Sequence, residues 1–276
     1  MNIFDLIRIK NRLLSNALPA MTARSATKMF LNPRRSELKD WEYQAEKTGK
    51  RRSFEGHLSA LEWGDGKKKI LLMHGWESRA SQMYSLVTPL IDLGFSVIAI
   101  DGPKHGQSGG DEANPIAFSE AIKAAESEFG PFYGAIGHSL GGTAIALAME
   151  SGVRFERCTL IASPSCFYNV LFAFANFIGL SASARNHFIN CVEQQAANGR
   201  SSKTLDVARI FSEIKPESLL IHSRDDKEVP YDSVINIKQA YPNVQTLLCD
   251  DLGHRNVIRD TDIAIKVASF IESGTI

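Results

Sequence analysis

From residue 70 to residue 271, short apolar runs alternate with segments of helical periodicity, and nothing else in this 276-residue chain restricts its fold as tightly. Ile70–Met73, Phe95–Ile100, Tyr133–Ile136, Cys158–Ala162, Ser218–His222 and Val244–Cys249 read as strands. Between them, Ala80–Leu93, Pro115–Phe129, Leu140–Glu150, Tyr231–Tyr241 and Asn256–Ile271 read as helices. The strand runs lack the in–out alternation of a half-solvated sheet, so both faces must be covered. The prediction is an α/β fold, a mostly parallel sheet with helices on both faces. Just ahead of it, Ser53–His57 and Leu58–Trp63 are short enough to pair as an antiparallel hairpin.

Two segments break the rhythm. Residues 164–213 are helical and rich in aromatics: Phe167, Tyr168, Phe172, Phe174, Phe177 and Phe188. An insertion after a strand of such a sheet tends to lie over the strand C-termini, where ligands bind. Its aromatics can form the insertion's own core, a wall toward a ligand, or both, and Phe167 and Phe172 are candidate substrate contacts. At the other break, Ile3, Leu6, Ile7 and Leu14 are spaced as on an amphipathic helix that ends before Pro19, and a second helix is expected over 20–30. The expected organisation is a helical extension over 1–51, a core over 52–163 and 214–276, and a helical cap over 164–213.

Charge and cysteine content narrow the function classes. There are 31 basic and 31 acidic residues, which gives no net field to gather nucleic acid. Residues 1–52 nevertheless hold 12 basic and 5 acidic side chains, a net of +7, scattered among apolar residues. That pattern fits docking onto the chain's own acidic body better than an arm that meets a membrane or an acidic partner. Cys158, Cys166, Cys191 and Cys249 show no CxxC spacing and read as small hydrophobes of a reducing compartment. Arg8, Lys10 and Arg12 interrupt any secretory apolar stretch, and no apolar run is long enough for stable membrane insertion, so a cytoplasmic protein is expected. No His/Cys/Asp cluster has metal-ligand spacing. The sequence leaves the oligomeric state open.

The chemistry gathers around Gly137-His138-Ser139-Leu140-Gly141, directly after a strand and before a helix. A serine there must sit on a sharp, strained turn, so residues two before and two after come too close for a Cβ. Chance alone would place such a run in roughly one chain of ten at this length, so its position in the fold matters more than its letters. A serine also needs a base, and the base needs an orienting acid. His254 lies beyond the last strand, and Asp225 and Asp226 follow the strand Ser218–His222. Both aspartates compete for the acid's role; Asp226, four residues before Pro230, is preferred. The amides of Trp76, in His74-Gly75-Trp76, and of Leu140 are candidates for an oxyanion hole. His74 reads as a structural residue, and His138 as a side-wall residue that meets substrate.

Taken together, His74-Gly75, the loop Asp101–Ser108, the elbow Gly137–Gly142, Ile221–Pro230 and Gly253-His254 resemble the α/β-hydrolase superfamily over about residues 52–274. The resemblance implies an eight-stranded sheet, a Ser-Asp-His triad of Ser139, Asp226 and His254, and no metal or organic cofactor. It implies a carboxylesterase-type enzyme that cleaves an ester or related acyl bond of a small, partly apolar substrate. Thioesterase, lactonase, amidase and carbon–carbon hydrolase chemistry would use the same triad, and a non-catalytic ligand-binding member of the fold is a further alternative.

Overall fold

The computed structural model describes residues 3–197 and 199–276. They form two compact units: residues 34–165 with 207–276, and residues up to 33 with 166–206.

The larger unit is built on eight strands: β1 (Lys50–Phe54), β2 (Leu58–Trp63), β3 (Lys69–Met73), β4 (Ser96–Asp101), β5 (Phe132–His138), β6 (Arg157–Ile161), β7 (Ser218–Ser223) and β8 (Gln245–Cys249). Their order is β1-β2-β4-β3-β5-β6-β7-β8. The β1–β2 and β2–β4 pairings are antiparallel and the rest parallel. The α/β architecture and the hairpin are therefore as the sequence predicts. Ile70, Leu72, Ile136, Ile161, Leu219 and Ile221 enter one core with Met83, Leu86, Leu90, Val267 and Phe270. Leu71, Ala135, Leu160 and Leu220 alternate to the other face and are equally buried. Burial on both faces is why the strand runs are apolar throughout.

The smaller unit is helical: α1 (Ile3–Leu14), α2 (Pro19–Phe30), α7 (Phe167–Phe177) and α8 (Ala182–Ala196). Its centre is aromatic, with Phe30 4.9 Å from Phe174 and 5.6 Å from Phe188 between ring centroids, and Phe188 fully buried. Asn11 donates to the Ile178 carbonyl at 2.7 Å, and Ser181 donates to the Ser15 carbonyl at 2.8 Å. The N-terminal helices thus complete the core of the inserted helices.

This division differs from the expected one at three points. The N-terminal helices group with the insertion and do not stand as an extension. Residues 34–51, expected in that extension, belong to the sheet unit, through α3 (Glu42–Thr48), β1 and the bidentate Arg34–Glu77 pair. The helix α9 (Val207–Ile214), expected in the cap, also belongs there.

The remaining helices of the sheet unit are α4 (Val87–Asp92), α5 (Pro115–Phe129), α6 (Leu140–Glu150), α10 (Asp232–Ala240), α11 (Gly253–Asn256) and α12 (Thr261–Ser273). The closing helix expected over 256–271 begins only at Thr261, and the loop expected around His254 is the separate turn α11. Asp260 caps α12 by accepting from the Ile263 amide at 3.0 Å, which sets where that helix begins. His254 consequently sits in a one-turn helix. Among the described residues no helix is long and apolar enough to cross a membrane.

Candidate active site

The strand order reverses around β3 and β5, and the crevice beyond such a reversal is where open α/β sheets bind ligands. Ser139 is the residue between β5 and α6. Its backbone lies at φ 52°, ψ −119°, a conformation that costs a non-glycine residue about 1–3 kcal/mol. The flanking glycines answer a different demand, close approach. A Cβ on Gly141 would lie 2.1 Å from the Met73 carbonyl oxygen, and one on Gly137 would lie 2.6 Å from the Gly142 amide nitrogen. Both obstacles are backbone. We expect Gly141→Ala to lower unfolding free energy by about 3 kcal/mol or more, read as a fall in the urea midpoint at unchanged slope.

The loop after β3 packs against this turn. A Cβ on Gly75 would stand 2.9 Å from the Ser139 Cβ. His74 is fully buried; its Nε2 accepts from the Gly102 amide at 2.8 Å while Nδ1–H donates to the Gly75 carbonyl at 2.7 Å. The ring shapes the loop from both nitrogens, as the sequence reading holds. Trp76 follows, lining the same pocket as Ser139. Leu140 is the first residue of α6, so its amide has no acceptor within its own helix.

Asp226 and His254 meet just beyond the ends of β7 and β8. Asp226 Oδ2 accepts from His254 Nδ1–H at 2.7 Å, and Asp226 Oδ1 accepts from the amides of Glu228 and Val229 at 2.8 and 2.9 Å. Burial pushes the Asp226 pKa up, but the His254 hydrogen bond and charge and the two amides outweigh it, so the carboxyl titrates below its ordinary value. The other aspartate, Asp225, accepts from Ser223 Oγ and, at 3.2 Å, from the Gly253 amide. It fastens the loop that carries His254 and does not touch the imidazole. Three side chains the sequence reading did not place in this role also brace the arrangement. His222 donates to the Val229 carbonyl at 2.9 Å, with the same Nε2 3.4 Å from Asp226 Oδ2, and Ser223 Oγ accepts from the Gly253 amide at 3.1 Å. His138 Nε2–H donates to the His254 carbonyl at 2.8 Å, tying β5 to α11. The Ser223 and His138 contacts close over 30 and 116 residues, whereas those of His222 stay within seven.

Ser139, His138, His254 and Trp76 line one small pocket with Ser78, Gln82, Glu228, Arg255, Ile258 and Arg259. At about 60 Å³ it holds a few water-sized groups, enough for a reacting ester but not for a long chain. A larger hollow of about 650 Å³ opens between the β1–β2 turn and α5, but neither Ser139 nor His254 lines it. Phe167 and Phe172 belong to the helical unit. Phe167 is buried there, 6.2 Å from Phe30, and Phe172 carries the Arg185 guanidinium 4.3 Å above its ring. Their described ring contacts are internal to that unit. Among the described residues no group of three or more His, Cys, Asp or Glu is placed to hold a metal ion.

Three buried histidines set an acid limit on the scaffold. Burial lowers the pKa of His74 to about 4, and of His105 and His138 to about 3. The neighbouring His74 and His254 rings lower those of His105 and His138 further. Unfolding restores a pKa of about 6.5, so below that pH the unfolded chain binds protons that the folded chain refuses. Stability is then full above about pH 6.5 and falls as pH drops, by on the order of 4 kcal/mol per pH unit for three such groups. We expect the melting temperature to fall steeply between about pH 6.5 and pH 5, well above the carboxylate range; a flat profile there would contradict the neutral assignment of these rings.

A sequence profile described as "Alpha/beta hydrolase family" matches residues 70–262, the stretch that holds every element of this site. The chain belongs to the alpha/beta hydrolase family. Among curated relatives, it is 33% identical over 115 residues to a pimeloyl-(acyl-carrier protein) methyl ester esterase of Edwardsiella ictaluri, a match covering 40% of this chain and 43% of that protein. It is 36% identical over 100 residues to an esterase of Mycobacterium tuberculosis, covering 34% of this chain and 32% of that protein. The chain thus spans well under half the length of the curated relatives it matches. Solved structures share the fold: an esterase of Pyrococcus furiosus has a TM-score of 0.64 at 19% identity, over 87% of this chain and 98% of its own. A meta-cleavage product hydrolase of Pseudomonas fluorescens has a TM-score of 0.60 at 18% identity, over 83% of this chain and all of its own.

Proposed function

We propose that this alpha/beta hydrolase cleaves a carboxylic ester, or a closely related acyl bond, through an acyl-enzyme on Ser139. The observation that carries the reading is that His254, bonded to Asp226 at 2.7 Å, lines one pocket with a serine on a strained strand-to-helix turn. With Nδ1–H given to Asp226, His254 presents Nε2 as a base. Ser139 Oγ bonds to the carbonyl carbon as its proton passes to Nε2, and the carbonyl oxygen becomes an oxyanion facing the Trp76 and Leu140 amides. The carbon–oxygen bond to the leaving group then breaks as Nε2 returns the proton to the departing alcohol. Water repeats the sequence on the acyl-enzyme and releases the acid. The names of the sequence relatives favour an ester over the thioester, lactone, amide or carbon–carbon alternatives, since both are called esterases.

A fluorophosphonate probe, followed by a panel of short-chain p-nitrophenyl esters, thioesters and lactones, tests this reading. The labelled peptide is expected to contain Ser139, with the esters turned over fastest. A protein that never reacts with the probe, even at high pH, would instead be a ligand-binding member of the family.

A further inference from the structure

Arg259 lies five residues beyond His254 and lines the same small pocket as Ser139. Its guanidinium rests over the Trp41 ring, 4.4 Å from the centroid, and its Nε is buried without a hydrogen-bond partner among the described residues. Glu228, which lines the same pocket, and Glu42, the acid whose charge acts on it, are already engaged. Glu228 forks onto Arg255, at 2.8 and 3.1 Å. Glu42, fully buried, is held by Arg79 at 3.3 Å, by Ser81 Oγ at 2.7 Å and by Gln82 Nε2 at 3.2 Å. The polar neighbours in the pocket are committed as well, since Ser78 Oγ donates to Gln82 Oε1 at 2.9 Å. Elsewhere in the sheet unit most arginines pair with an acid, as Arg34 does with Glu77, Arg51 with Asp101 and Arg157 with Glu217, and the two that do not, Arg35 and Arg154, donate to backbone carbonyls instead.

A partly buried guanidinium keeps its charge and loses hydration, a cost normally offset by a bonded anion. In Arg259 that offset is missing, beside the proposed nucleophile. Stacking on Trp41 holds the guanidinium plane, and a fixed planar fork suits the two oxygens of a carboxylate or a phosphate. Resting on the hydrolase reading above, the geometry points to Arg259 as the binding group for an oxyanion on the substrate itself. The substrate class is then an acyl ester with a carboxylate or phosphate near the scissile bond. The size of the pocket, about 60 Å³, keeps that anion close to the reacting carbonyl.

Matched substrate pairs read this directly: p-nitrophenyl hemisuccinate against p-nitrophenyl butyrate for the carboxylate, and butyrylglycerol phosphate against butyrylglycerol for the phosphate. Wild-type kcat/KM is expected to favour the charged member of one pair by about tenfold or more, and which pair responds identifies the anion. Arg259→Gln should collapse that ratio toward one, chiefly through KM, and Arg259→Lys should keep part of it. No charge preference in the wild type, or a preference that survives Arg259→Gln, overturns the proposal. Turnover of the neutral members and probe labelling of Ser139 report on the hydrolase reading separately. Calorimetry with monoethyl succinate and with inorganic phosphate needs no turnover: binding by wild type that Arg259→Gln loses supports the site, and absence of binding counts against it.

Discussion

Replacing Ser139 by alanine is expected to lower kcat on a short-chain p-nitrophenyl ester by about 10⁴-fold or more, with KM moved by less than about tenfold. The loss should be this large because in the proposed mechanism Asp226 and His254 act only through Oγ: without it, the base has no proton to take. What remains would come from the Trp76 and Leu140 amides acting on an attacking water. Stability should respond differently. Ser139 holds φ 52°, so Ser139→Ala keeps the strain, whereas Ser139→Gly relieves it. The glycine variant is therefore expected to be as inactive as the alanine variant but more stable by about 1 kcal/mol, visible as a higher urea midpoint. An alanine variant that still turned over the ester at more than a few per cent of the wild-type rate would remove Ser139 from the chemistry.

What the sequence exposed and what it hid follow from the range of the interactions involved. Ile70–Met73 and its sister strands were legible because burial on two faces writes itself into consecutive residues. The turn at Ser139 was legible because two close backbone approaches, at Gly137 and Gly141, are written within five residues. The true start of the closing helix was also locally encoded, in Asp260 as a cap, but apolar residues ahead of it mask the boundary. The partnership of α1 and α2 with α7 and α8 was not legible. An amphipathic stripe says that a helix is covered, not by what, and the residues that answer Phe30 lie more than 130 positions away. Arg259 was invisible for the same reason. Its significance is that no acid pairs with it, a property of the folded neighbourhood that no spacing in the chain records. Ser223 and His138 brace the His254 loop through contacts that exist only once β5, β7 and α11 are side by side.

The two adjacent aspartates give the sharpest separation. Asp226→Asn is expected to lower kcat by about 10⁴-fold, while Asp225→Asn should cost less than about tenfold. At Asp226 the orientation of the new amide is forced. Oδ1 accepts from the Glu228 and Val229 amides, so the asparagine oxygen must stay there and its NH₂ must take the place of Oδ2. That NH₂ then faces His254 Nδ1, which has to give up its proton and accept. The proton moves to Nε2, and the nitrogen that should deprotonate Ser139 becomes a donor. Flipping the amide would set NH₂ against two backbone donors, so the side chain cannot escape by rotation. Asp225 carries no such constraint: it is exposed, and its contacts to Ser223 Oγ and the Gly253 amide are to an oxygen that asparagine retains. Its loss of charge should loosen the His254 loop slightly without changing the imidazole tautomer. Steady-state kinetics on the two variants, with circular dichroism to establish folding, decides the matter. Equal losses, or a larger loss at Asp225, would mean that the carboxylate on His254 in this arrangement does not set its proton.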